Sequence, residues 1–172
     1  MSLEDEDAAV EVMWAGKYVR ALKKGRWEFV SRTNEVRAVV ILAEYEGKVI
    51  LIDQPRMAVG GRCLELPAGL VGDEDRNATI EGTAVKELEE ETGFTAERIE
   101  RLGDFHASPG MVSESFTLVR AHGVRPCGEG GGTEHEDIRV HLVARSDIPD
   151  FVEQCRAEGL AVDVKLLLFH SF

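Results

Sequence analysis

Lys86-Glu87-Leu88-Glu89-Glu90-Glu91-Thr92-Gly93-Phe94 puts four glutamates where a helix would ordinarily carry cations. Upstream, Ile80, Ala84, Val85 and Leu88 recur at helical spacing, and Gly93 is placed as the left-handed residue that stops a helix. The glutamates therefore fall in the last turn or so, at the negative end of the macrodipole. Glu87, Glu90 and Glu91 stand at i, i+3 and i+4 and share one face, where each like-charge pair costs a few tenths of a kcal/mol. A bound cation would remove both penalties. Ligands made only of oxygen suit Mg²⁺ or Mn²⁺, hard ions held through one or two carboxylates plus substrate phosphates. A solvated acidic face is the other reading of the run, and the neighbouring residues weigh between the two.

Just before the helix lies Leu64-Glu65-Leu66-Pro67-Ala68-Gly69-Leu70-Val71-Gly72, a strand-like run ending in a glycine-rich loop. The order strand, loop, glutamate-bearing helix, glycine stop resembles the Nudix hydrolase family. That family's box reads Gly, five residues, Glu, seven residues, then Arg-Glu-aliphatic-x-Glu-Glu-x-Gly-aliphatic. Glu87, Glu90, Glu91 and Gly93 match outright, with Lys86 in the Arg slot and Phe94 in the last aliphatic slot. The first half departs. Gly69 lies seventeen steps before Lys86 where the family has fourteen, so the box reads as carrying three inserted residues around Asp73 to Ala78. Strict counting back from Lys86 would instead put Gly72 in the Gly slot. Glu74, Asp75 and Glu81 are all candidates for the first Glu. Lys86 offers a point charge where Arg would clamp a carboxylate with a planar fork, so weaker orientation of the glutamates is expected, without loss of the metal.

At 172 residues, one main domain with a single sizeable core is expected. No apolar run approaches the roughly 20 residues that span a bilayer, so no membrane association is expected. The acidic start, Leu3-Glu4-Asp5-Glu6-Asp7, is unlike the basic start of a secretory signal. Cys63, Cys127 and Cys155 are odd in number and widely separated; they show no zinc spacing and fit a reducing cytosol. The net charge of −12 argues against binding a nucleic acid backbone. It would also repel a phosphate ester unless a divalent ion inverts the local field.

Along the chain, the first eight residues or so read as frayed. Residues 17–22 and 26–30, joined at Lys24-Gly25, form a small antiparallel unit that must pack on something else. Val36 to Glu44 is a strongly apolar strand, Glu46-Gly47 a hairpin turn, and Val49 to Ile52 the return. Further strands are expected at Arg98–His106, Ser115–Ala121 and Ile138–Ala144, the last after a loop with Gly128, Gly130, Gly131 and Gly132 that reads as mobile. Helices are expected from about Asp150 to Ala157, and from Asp163, an N-cap, to about His170. The class is α+β, a mixed sheet between helices. By resemblance this is the Nudix α/β/α sandwich with a small N-terminal antiparallel β unit, divided into residues 1–34 and 35–172.

Other segments resemble the ADP-ribose pyrophosphatase branch of the family. Gln54-Pro55-Arg56 is similar to a segment whose Arg meets substrate phosphates; Arg56 also reads as a plain surface residue after a strand. Pro109, fifteen residues after Phe94, matches a Pro of that branch, within Ser108-Pro109-Gly110-Met111-Val112-Ser113-Glu114. Pro109 and Gly110 also read simply as a turn. Glu134 to His141 resembles the loop and strand carrying a late catalytic Glu, with Glu134 first and Glu136 second, or both merely solvated. Trp27 and Phe29 either stack on a base or pack in a core or subunit contact.

The resemblance implies hydrolysis of a nucleoside diphosphate joined to a second group, ADP-ribose or another nucleotide sugar. Mg²⁺ or Mn²⁺ would be held by Glu87, Glu90, Glu91 and the Ala68 carbonyl. Glu90 also belongs to the expected catalytic set with Glu134 and Glu136; Arg56, Trp27, Phe29, Pro109 and Glu114 would contact substrate. A homodimer is implied too. A Nudix-fold module that binds a nucleotide sugar without cleaving it is the rival, motivated by Lys86 and the altered first half of the box.

Overall fold

The structure, a computed structural model, describes residues 3–34, 36–73, 75, 77–133 and 136–170. A short helix α1 (Leu3–Glu6) precedes β1 (Val10–Ala15), β2 (Val19–Lys24) and β3 (Trp27–Arg32), which form a separate antiparallel sheet in that order. The expected fraying does not extend through Asp5. Its buried carboxylate accepts from the Arg26 backbone N–H at 3.3 Å and pairs with Arg26 Nε at 2.9 Å, pinning the start of the chain to the β2–β3 turn.

Next come β4 (Arg37–Leu42), β5 (Glu44–Tyr45), β6 (Lys48–Arg56), β7 (Gly61–Glu65) and β8 (Ala68–Val71). Glu46 and Gly47 turn the β5–β6 hairpin with φ of 49° and 75°, the double positive φ that a tight hairpin demands. The run from Leu64 to Gly72 is two strands in different sheets, not one. Pro67 has no N–H to continue a ladder, and its carbonyl instead accepts from Ile41 N at 2.8 Å as the chain passes between sheets.

Helix α2 (Ile80–Thr92) follows, opened by Thr79, whose hydroxyl accepts from Gly82 N, and closed by Gly93 at φ 74°, the stop expected from its sequence. Then come β9 (Phe94–Thr95), β10 (Arg98–His106), β11 (Ser115–His122), β12 (Arg125–Pro126), β13 (Arg139–Ala144), α3 (Ile148–Ala157) and β14 (Ala161–Val162). The final expected α-helix is instead a 3₁₀ helix, Val164–Phe169, although Asp163 does cap it, accepting from Lys165 N at 2.7 Å.

One sheet runs β10-β11-β4-β8, the other β13-β6-β7-β14 with β5 on β6. The β11–β4 and β14–β7 pairs are parallel and their sheet neighbours antiparallel, giving the expected mixed arrangement. β4 and β6 are apolar without interruption because both of their faces are covered. Val40, Leu42, Val49 and Leu51 point toward α3 and the 3₁₀ helix, packing with Ile148, Val152 and Leu166. Val39, Ile41 and Ile50 point the other way, packing with Ala84 and Leu88 of α2. Sheets between α2 and α3 make an α/β/α sandwich, and this layering anchors the glutamate-bearing helix against the strand ends.

Candidate active site

One face of α2 lines a cleft of about 520 Å³, walled by Gln54 and Arg56 of β6, Ala68 and Gly69 of β8, and Glu87 and Glu91 of the helix, with Glu136 also in its lining. Glu91 is 4% exposed, and one of its oxygens accepts from Ala68 N at 3.0 Å. Burial first, then the neighbouring charges of Glu87 and Glu136, push its carboxyl up to about 8, against the opposing pull of the Ala68 N–H and Arg56. Glu87 lies so close to Gly69 that a side chain there would collide with its carboxyl group. Glu90 stands apart from the cleft lining: it is exposed at the helix edge, 3.6 Å from Lys86 Nζ, so its face is shared with the other two glutamates but its burial is not.

Arg56 reaches the cleft wall half-exposed, and its guanidinium is clasped bidentately by Glu65 of β7 at 2.8 and 2.7 Å. Glu65 carries no motif of its own in the sequence; at 6% exposure it is a buried carboxylate, a state that is rare without a partner. The same holds for Asp53, a charged residue in the apolar run of β6. It is 2% exposed and bonded to His141 and Arg62.

The glycine-rich stretch from Cys127 to Gly132, in the loop expected to be mobile, is docked on the end of α2. Cys127 N and Gly128 N donate to the Gly93 carbonyl, Gly131 N to that of Glu91 and Gly132 N to that of Glu90, at 2.8 to 3.1 Å. These donors satisfy carbonyls that a helix C-terminus leaves open, and they offset the negative end of the dipole. Such backbone-to-backbone approach needs glycine: a Cβ at Gly130 would lie 2.3 Å from the Thr92 carbonyl carbon. Glu136 Oε2 accepts from Thr133 N at 2.8 Å and Thr133 Oγ1 at 3.0 Å. Glu134 lies outside the described residues.

The remaining candidates are placed as follows. Asp75 lines the cleft and accepts from Asn77 N at 2.9 Å, whereas Glu81 is paired with Arg101 of β10, and Glu74 lies outside the described residues. Trp27 and Phe29 lie on β3 and do not line the cleft. Pro109 belongs to a turn in which Met111 N and Val112 N donate to the Ser108 carbonyl. Glu114 is paired with Arg32 of β3, at 2.7 and 2.6 Å. Val30 exchanges backbone bonds with Met111 and Ser113, so β3 and this loop are held together.

Among the described residues, no three Asp, Glu, His or Cys side chains converge closely enough to hold a metal ion as they stand. The donor types in the cleft nevertheless fit a hard divalent ion, since Glu87, Glu91 and Glu136 supply only oxygens and crowd one another's charge. Burial pushes the Cys63 thiol up to about 12 and raises that of Cys155 as well. A smaller apolar cavity of about 330 Å³, between β10–β11 and the C-terminal 3₁₀ helix, shares no lining residue with the carboxylate cleft. No described helix is long and apolar enough to cross a membrane.

Comparison with known proteins agrees with this arrangement. The NUDIX domain family model matches residues 33–158. The chain is 34% identical over 162 residues to an ADP-ribose pyrophosphatase of Bacillus subtilis, covering 88% of this chain and 85% of that one. It is 34% identical over 140 residues to a GDP-mannose pyrophosphatase of Cronobacter sakazakii, covering 76% and 69%. A solved ADP compounds hydrolase superposes with a TM-score of 0.70 at 21% identity, over 94% of this chain and 89% of the other, a likeness of fold. With the α/β/α layering, the acidic helix ending in Gly93 and a family match over most of its length, this chain is a Nudix hydrolase, similar to the family's ADP-ribose pyrophosphatase branch.

Proposed function

We propose that this chain hydrolyses the pyrophosphate bond of a nucleoside diphosphate joined to a second group, ADP-ribose first and related nucleotide sugars second. The products are a nucleoside monophosphate and a sugar phosphate. The observation that carries the proposal is the buried Glu91, set among Glu87 and Glu136 in a cleft that Arg56 also walls. Carboxylates crowded out of water are costly unless a cation joins them.

Glu87, Glu90, Glu91 and the Ala68 carbonyl would hold Mg²⁺ or Mn²⁺, which when bound supplies neutralisation of the diphosphate charge and acidifies a water. Arg56 binds phosphate oxygens, held in place by Glu65. Glu134, or Glu136 in its stead, accepts the proton of the attacking water as its oxygen bonds to one phosphorus and the bridging P–O bond breaks. The leaving phosphate oxygen keeps the electron pair of that bond. Trp27 and Phe29 on β3, with Pro109 and Glu114 in the loop bonded to β3, make up the outer substrate contacts. Glu114 does so while paired with Arg32, and so shapes the loop as much as it touches ligand. Residues 1–34 act as a unit for substrate contact and dimerisation beside the catalytic domain of residues 35–172. The exposed Val12, Trp14 and Trp27 support a homodimer packed through that unit.

Incubation with ADP-ribose and Mg²⁺ or Mn²⁺, followed by chromatography, should yield AMP and ribose 5-phosphate. Glu91→Gln and Glu90→Gln should each lower kcat/KM about 100-fold or more. A divalent ion at about 100 times its Kd should stabilise the parent by about 2.7 kcal/mol in thermal unfolding. Binding of nucleotide sugar without product, or full turnover by both variants, would refute the assignment.

A further inference from the structure

One buried polar cluster takes no part in the chemistry above. Asp53 of β6 sits in the sheet with both carboxylate oxygens occupied: Arg62 Nε of β7 donates to Oδ1, and His141 Nε2 of β13 lies 2.7 Å from Oδ2. Arg62 Nη2 also donates to the Asp53 carbonyl at 2.8 Å. The rest of the guanidinium reaches out of the sheet. Nη1 donates to Asp137 Oδ2 at 2.6 Å, and Nη2 to the Asp137 carbonyl at 2.8 Å. Asp137 directly follows Glu136 and is the last polar residue of the loop before β13.

This loop is therefore fixed at two points. Its incoming end rests on α2 through Gly131 N and Gly132 N, and its outgoing end is gripped by Arg62. Between these anchors, Glu136 accepts from Thr133 N at 2.8 Å and lines the cleft that also holds Glu91. The grip uses the planar fork of Arg on two partners at once, which a lysine ammonium cannot reproduce. Asp53 is the buried anion that holds the fork at the required angle.

We propose that Arg62 is a positioning residue for the hydrolysis: anchored on Asp53, it clamps Asp137 and so holds the adjoining Glu136 in the cleft with Glu91 of α2. The proposal rests on the assignment of these loop glutamates as proton acceptors.

Asp137→Ala removes one arm of the clamp at an exposed side chain and leaves the buried Asp53 cluster intact, so the fold is preserved. Arg62→Lys removes the fork itself. Each variant is compared with the parent by hydrogen exchange of peptides covering residues 131–138, by thermal unfolding, and by kcat and KM with ADP-ribose and Mg²⁺. Both should show about tenfold or faster exchange in that loop and a kcat lowered about 10- to 100-fold, with KM within about twofold. Asp137→Asn, which keeps an acceptor oxygen, should recover most of the loss. Unchanged exchange in both variants overturns the clamp whatever the turnover. Faster exchange with parental kcat overturns its role in the reaction. Glu134→Gln and Glu136→Gln run in parallel: if both turn over at the parental rate, the proton-acceptor assignment has failed, and the exchange data still decide whether Arg62 clamps the loop.

Discussion

A Cβ built on Gly69 would lie 2.2 Å from both the carboxyl carbon and Oε1 of Glu87. The glycine is there for space, since its φ is not in the left-handed region and any residue could adopt its backbone. The obstacle is the far end of a flexible side chain, so the fold can yield to an added methyl by swinging Glu87 aside. Gly69→Ala should therefore cost less than about 1 kcal/mol of stability. It should weaken Mg²⁺ or Mn²⁺ binding about 10- to 100-fold, because a carboxylate is moved out of the cleft. Titration calorimetry beside a denaturant melt checks both halves; unaltered ion affinity would show that Glu87 is no ligand. Gly69, not Gly72, is also the glycine that faces a box glutamate, which favours an insertion after Gly69 over the strict count.

Helix α2 ends with an arrangement that its own sequence makes costly. Glutamates gather at the negative end of the dipole, and the compensation comes from amide N–H groups of a loop more than thirty residues downstream. A Cβ on Gly130, which sits at φ 67°, would collide with backbone atoms of Thr92 and Gly93. Gly128, two residues earlier, has open space around its Cβ direction. Gly130→Ala should thus destabilise by about 1–3 kcal/mol through left-handed strain plus backbone collision. Gly128→Ala should stay within about 0.5 kcal/mol of the parent. Urea unfolding of the pair reads the difference; equal stabilities would mean that the loop does not sit on the helix end.

Across the whole molecule, the Asp53–Arg62–His141 cluster ties β6, β7 and β13 together inside the sheet that carries Arg56 and Glu65. Burial pushes the Asp53 carboxyl upward, but hydrogen bonds and charge from His141 and Arg62 outweigh it and hold the group below its ordinary 3.8. A carboxyl lowered in the folded state contributes stability that is complete above the unfolded value and is lost as pH falls through the folded one. Asp53→Asn should therefore cost about 3–5 kcal/mol near pH 6, where Arg62 is left without its buried anion, and the gap to the parent should close as pH drops below about 4. Unfolding curves at pH 6 and pH 3 test this; a constant gap would show that the ionisation of Asp53 contributes nothing.

Local patterns determined much of this protein. Continuous apolar runs at Val39–Leu42 and Val49–Ile52 marked two paired strands, and the helical spacing of Ile80, Ala84 and Leu88 marked the acidic helix, with Gly93 fixing its end. The family and the layering followed from short-range order of that kind, because periodicity and caps are properties of neighbours in the chain. What only tertiary structure decided are pairings across long stretches: Arg56 with Glu65 across a hairpin, Arg62 with Asp137, Arg32 with Glu114, and the glycine loop with the end of α2. Burial made the further choice among equivalent glutamates, hiding Glu91 and leaving Glu90 exposed. A side chain's charge is written in the sequence, but the water it loses and the partner it meets depend on which distant strand lies beside it.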